Sequence, residues 1–101
     1  MNFSMIKQAM ELRSKLAKAQ KELAKLSFEV DGVKGAIHIT INGQQKLTAL
    51  KIDPALVNPD KVGALEDALL KTVNDAFDKS KEAASKELSG LVGDVNIPGL
   101  T

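Results

Sequence analysis

The sequence of 101 residues has no cysteine, no tryptophan and no tyrosine, and it holds one histidine and three phenylalanines. Without cysteine there is no disulfide framework, thiolate zinc site or Cys/His dyad, and a lone imidazole cannot assemble a metal site. An aromatic content of 3% forces the core to be aliphatic. It also removes the ring platforms on which single-stranded nucleic acids stack. No apolar run approaches the roughly 18 residues of a membrane span, and Lys7, Glu11 and Arg13 interrupt the N-terminal stretch where a targeting segment would be apolar. The expectation is a soluble, untargeted, cytoplasmic protein with no metal, no cofactor, no membrane partner and no small-molecule substrate.

What is present suffices to fold. Leucine, isoleucine, valine and phenylalanine number 29, above the roughly 20% below which disorder becomes the default. A chain this short makes one domain and buries only about two thirds of its unfolded surface. The formal charge of +1 conceals a gradient: residues 1–30 carry +3, residues 31–53 carry +1 and residues 54–101 carry −3. A basic head is joined to an acidic second half.

Met5, Ala9, Leu12, Leu16, Ala19, Leu23 and Leu26 recur in alternating steps of four and three. That heptad seam, free of glycine and proline, predicts a helix over residues 4–26 with Ser4 as its N-cap. The seam suits packing on the chain's own sheet or on another helix, a copy of itself included. Period-two alternation then begins. Phe28 and Val30, Ile37 to Ile41, and Lys46 to Ile52 read as three antiparallel strands within residues 27–53, with turns at Asp31-Gly32 and Asn42-Gly43. A strict two-residue turn at Asn42-Gly43, with Gly43 at positive φ, would set Ile39 opposite Lys46, a mismatch that a bulge or longer loop relieves. Asp53-Pro54 ends the third strand, because proline cannot donate to the ladder. Asn58-Pro59-Asp60 has the pattern of a helix start, and apolar spacing from Val62 to Leu88 predicts a second helix over residues 59–89, ending at Gly90. Residues 90–101 form an aperiodic tail.

Candidate chemistry is sparse. His38 has no serine, cysteine or second histidine placed by a recognisable motif, so it is a structural or exposed histidine rather than a general base. Glu66 and Asp67 are helix neighbours that point apart, and Gly32, Gly35 and Gly43 form no phosphate-binding loop. Neither a catalytic nor a metal-binding residue is assigned. Asp67 with Lys71, Asp75 with Lys79 and Glu82 with Lys86 are i,i+4 pairs in the favourable order. The N-terminal cations differ, since Lys7, Lys18, Lys21 and Lys25 fall opposite the seam and only Lys18 has a compensating acid, Glu22. Such a stripe is either a solvated face or the footprint of a polyanion contact.

The chain as a whole resembles the YbaB/EbfC family of small bacterial nucleoid-associated proteins. The likeness rests on the run Lys18-Ala19-Gln20-Lys21-Glu22-Leu23, on Thr40-Ile41-Asn42-Gly43 and on Ile52-Asp53-Pro54-Ala55-Leu56. It continues through Leu65-Glu66-Asp67, Val73-Asn74-Asp75-Ala76 and the tail Ile97-Pro98-Gly99-Leu100, in that order. The resemblance implies an α+β protomer of order α-β-β-β-α, paired into a tweezer-like homodimer. It further implies a non-catalytic protein that binds duplex DNA with little sequence preference in the nucleoid, with a role in chromosome organisation and gene regulation. Carried onto this chain, the DNA contact maps to Lys7, Arg13, Lys15, Lys18, Lys21 and Lys25. Arg13 is the single arginine, which suits a loose reader, because arginine makes the bidentate guanine contact whereas lysine acts as a point charge on phosphate. The alternative reading is a dimeric protein-interaction module for which DNA is incidental.

Overall fold

The computed structural model of the chain describes residues 2–92. Its order is α1 (Phe3–Lys25), β1 (Ser27–Gly32), β2 (Ile37–Asn42), β3 (Leu47–Ile52), two short 3-10 turns (Pro54–Leu56 and Pro59–Lys61) and α2 (Val62–Val92). This is the α-β-β-β-α, α+β arrangement the sequence leads one to expect. The strands form one antiparallel sheet in the order β1-β2-β3.

The register explains which residues reach the core. Ile37, Ile39 and Ile41 are fully buried on one face of β2, beside Phe28 and Val30 of β1 and opposite Ile52, Leu50 and Leu47 of β3. The mismatch expected of a tight turn is absent. A register shift between Thr40 and Ile41 leaves Thr48 as the extra residue on β3, and the loop takes in residues 43–46, with the Asn42 amide donating to the Lys46 carbonyl at 2.9 Å. Burial of each isoleucine stabilises the fold by about 1.5–3 kcal/mol.

Several local expectations are corrected. Asn2 rather than Ser4 caps α1, its side chain accepting from the Ser4 amide at 3.1 Å. The first hairpin turns at Val33 and Lys34, both at positive φ, while Asp31 and Gly32 remain in β1. In the second hairpin the positive φ belongs to Gln45, and Gly43 is not strained. Glycine is required at 43 for another reason: a Cβ there would lie 2.5 Å from the Leu23 carbonyl oxygen, which accepts from the Gly43 amide at 2.9 Å. The end of α1 is thus seated directly on hairpin backbone. Gly32 has the same function at the opposite end of the sheet, where a Cβ would meet Thr72 Oγ1 at 2.0 Å. Finally, α2 runs through Gly90 to Val92, because one glycine costs a helix only about 1 kcal/mol. The tail from residue 93 lies outside the described residues.

Between these contacts α2 crosses β1 and β2, burying Thr72, Ala76 and Ser80. Ser80 Oγ donates to the Asn42 carbonyl at 2.7 Å and accepts from the Gln45 amide at 3.0 Å, so it leaves no buried hydroxyl unpaired. The strand at the far edge is less covered. Leu50 is 49% exposed on the apolar face of β3, and Val57, Val62 and Leu70 are exposed nearby in sequence and on the flank of α2 opposite Thr72. Past Ser80, α2 leaves the sheet and α1 arrives at it, so the two helices make an antiparallel arm on a molecule 66 × 24 × 21 Å in extent.

Candidate nucleic-acid interface

The arm is built on the hairpin at residues 42–46. Gly43 holds the Leu23 carbonyl, Gln44 Nε2 donates to the Gln20 carbonyl at 2.9 Å, and Gln45 meets Ser80. Ala19 and Leu23 are buried and Leu12 is half-buried, whereas Met5, Ala9, Leu16 and Leu26 are exposed. The heptad seam is therefore used within the protomer over its last third and open at Met5 and Ala9.

Fixing Ala19 and Leu23 inward fixes what faces outward. At about 100° per residue, Lys7, Lys18, Lys21 and Lys25 fall within a sector of about 60° on the side opposite the buried pair. All four are exposed, as are Arg13 and Lys15. The arrangement unites four of the six cations named from sequence and leaves Lys15 on one flank and Arg13 on the other. The one acid paired in this region differs from expectation: Glu22 Oε1 lies 3.6 Å from Lys25 Nζ rather than beside Lys18. Both groups are well exposed, so the pair contributes little and leaves the field of the stripe positive.

The other helix presents the reverse character. Glu66, Asp67, Asp75, Asp78, Glu82 and Glu87 are exposed along α2, and Lys86 is held 3.6 Å from Glu82 as the i,i+4 spacing requires. Lys79 departs from its expected partner Asp75 and reaches across to β1, donating to the Glu29 carbonyl at 3.1 Å. A polyanion approaching the arm meets attraction on α1 and repulsion on α2.

On the outer face of the sheet, His38 Nδ1 contacts Asp31 Oδ1, and Nε2 lies 3.3 Å from Glu29 Oε1. The hydrogen bond to Asp31, then that to Glu29, hold the ring above its ordinary value of 6.5, because a ring facing a carboxylate at each nitrogen is favoured as imidazolium. Lys51 stands opposite His38 on β3. Sequence reading left His38 without partners; the signal was the placement of Glu29 and Asp31 two apart on a strand whose register pairs Asp31 with His38. There is no nucleophile in this cluster, and among the described residues no group of three or more histidine, cysteine or acidic side chains is arranged to hold a metal. Among the same residues no helix is long and apolar enough to cross a membrane.

A profile of the YbaB/EbfC DNA-binding family matches residues 1–95. The chain belongs to this family. Curated relatives agree: a nucleoid-associated protein of Moorella thermoacetica is 36% identical over 95 residues, covering 94% of this chain and 91% of that protein. Another, from Rhodopseudomonas palustris, is 38% identical over 96 residues, covering 93% of this chain and 90% of its own length. Among solved structures, that of an uncharacterized protein from Helicobacter pylori superposes with a TM-score of 0.79, covering 92% of this chain and 99% of the other. At 18% identity that likeness concerns the fold alone.

Proposed function

We propose that this member of the YbaB/EbfC family is a non-catalytic, nucleoid-associated protein of the cytoplasm that binds duplex DNA as a homodimer with low sequence preference. In this reading it serves chromosome organisation and, through that, gene regulation. The observation that carries the reading is the lysine stripe, in which Lys7, Lys18, Lys21 and Lys25 share the outward side of a projecting helix and Arg13 and Lys15 flank it. Lysines on a helix face suit phosphate contacts, which position a protein on the duplex without reading its bases. The names of the curated relatives point the same way.

The homodimer is supported by the uncovered edge of the sheet. Leu50 on β3, Val57 in the segment that follows it, and Val62 and Leu70 on α2 are exposed apolar residues, and a second copy would cover such surface isologously while doubling the number of basic arms. Solution mass measurement tests this part, with a dimer expected for the native chain and a shift toward monomer for Leu50→Glu. A monomeric native chain removes it.

Gel-shift titration across salt tests the DNA contact. If each protomer neutralises about three phosphates, a dimer neutralises about six and the log-log salt slope is about −5. Unrelated duplexes should compete about equally. The same exposed edge also favours the alternative of a protein-interaction module, and an absent salt slope would put that reading first.

A further inference from the structure

Two of the three phenylalanines are used by the body and the third is not. Phe28 and Phe77 pack against the buried residues of the sheet, whereas Phe3 is 88% exposed at the end of α1 remote from the hairpin. Met10 is 67% exposed and Ile6 40%. Phe3, Ile6 and Met10 line an open groove of about 480 Å³ together with Lys7, Glu11 and Ser14. Apolar side chains gathered in this way on an exposed helix mark an interaction site.

The direction of the groove selects its occupant. Residues 18 apart are about five full turns apart, so Phe3 lies in line with Lys21 and Lys7 in line with Lys25, each pair separated by about 27 Å along the helix. Met10 falls only about 20° from the line of Phe3. The side of α1 that presents cations near the hairpin therefore presents apolar side chains at the far end, with Lys7 placed between Phe3 and Met10 along the axis. A second copy docked through this side would bring one lysine stripe against another, which like charge opposes. A duplex is drawn to the same side by its phosphates, and the faces of its base pairs are apolar. Phenylalanine, isoleucine and methionine are among the side chains that enter base steps as wedges.

We propose that Phe3, backed by Ile6 and Met10, is a wedge that enters a base step of the duplex held by the lysine stripe. The inference rests on the reading of that stripe as a DNA contact and adds a deformation of the DNA to it. Lys7 is placed to hold a phosphate beside the opened step, and Lys18, Lys21 and Lys25 hold the duplex about 17–27 Å further along the helix. Unstacking one step in this way kinks a duplex by about 20–90°. Every base has an apolar face on which a ring can stack, so the wedge requires no particular sequence.

A duplex with 2-aminopurine in place of adenine reads unstacking, and one with a dye at each end reads bending, both separately from binding. With the native full-length chain at saturation, 2-aminopurine fluorescence should rise and the duplex ends should approach each other. Phe3→Ala should remove both signals and weaken binding about tenfold, while the log-log salt slope stays at about −5 because no cation is lost. Phe3→Leu should restore most of the bend, since leucine also acts as a wedge. At 88% exposure the side chain adds little to the fold, so the melting temperature of both variants should match that of the native chain. Native binding with the expected slope but without unstacking or bending would overturn the wedge and leave the lysine reading standing. Absence of duplex binding by the native chain would remove the lysine reading and the wedge with it. Unstacking unchanged in Phe3→Ala would overturn the proposal, and a fall in the solution mass of that variant would then assign the groove to a second copy.

Discussion

Ile39 in the middle of the sheet and Met10 near the end of the arm are both apolar residues on regular elements, yet the first is fully buried and the second is 67% exposed. The same contrast runs through the molecule. In the body, α2 approaches so closely that Gly32 leaves no room for a Cβ beside Thr72, and Gly43 leaves none beside the Leu23 carbonyl. In the arm, only Ala19 and Leu23 of α1 are buried, and the cations on its outer side are exposed. Shape decides the residues of the body; charge and solvent decide those of the arm.

Leu23→Lys and Leu16→Lys give the largest and sharpest test of that division. Both residues belong to one heptad seam, but Leu23 is 2% exposed and Leu16 is 38% exposed. A lysine at 23 buries an unpaired charge and should cost several kcal/mol, enough to unfold a marginal domain. At position 16 the longer side chain can reach water, so the cost should stay within about 1 kcal/mol. Denaturant titration of the two variants reads the difference, and equal costs would place the boundary between body and arm elsewhere.

Gly43→Val should come next, at about 3 kcal/mol, because the new side chain collides with helix backbone that cannot move without releasing α1. This variant separates a steric role from a conformational one. If positive φ were the requirement, Gly43→Asn would be tolerated, whereas the contact with Leu23 makes asparagine costly too. Thermal melts of both variants decide between the explanations.

The smallest effect belongs to His38 on the solvent face of the sheet. Its folded-state pKa is raised by Asp31 and Glu29 above 6.5, so its contribution is present below about pH 6.5 and is lost as pH rises through the folded value. His38→Gln should therefore lower the melting temperature more at pH 5.5 than at pH 8.5. A larger loss at pH 8.5 would mean that the neutral ring is the form the sheet uses.

Elements with strong periodicity were legible from the residues alone. The helix through Leu12, Leu16 and Leu23, the alternation of Ile37, Ile39 and Ile41, and the start signal at Asn58-Pro59 correspond to α1, β2 and the turn that leads into α2. What the sequence hid were features that arise between elements. Nothing local reveals that Gly43 faces a helix carbonyl, or that the bulge at Thr48 restores Leu50 to a position opposite Ile39. Pairing of Glu22 with Lys25 rather than Lys18 follows from rotamers on an exposed face, where alternatives differ by a few tenths of a kcal/mol. The positions of Lys7, Lys18, Lys21 and Lys25 on one side followed from helical spacing; that the side faces outward required the burial of Ala19 and Leu23.

The salt dependence of duplex binding by Lys18→Gln, Lys21→Gln and Lys25→Gln combined tests the central claim most directly. Glutamine keeps helix propensity close to that of lysine, and all three sites are exposed, so fold and oligomeric state should match the native chain. With three cations lost per protomer, affinity for every duplex should fall together and the log-log slope should flatten from about −5 toward zero. A variant that keeps its native oligomeric state, affinity and slope would contradict the assignment of DNA binding to the outer face of α1.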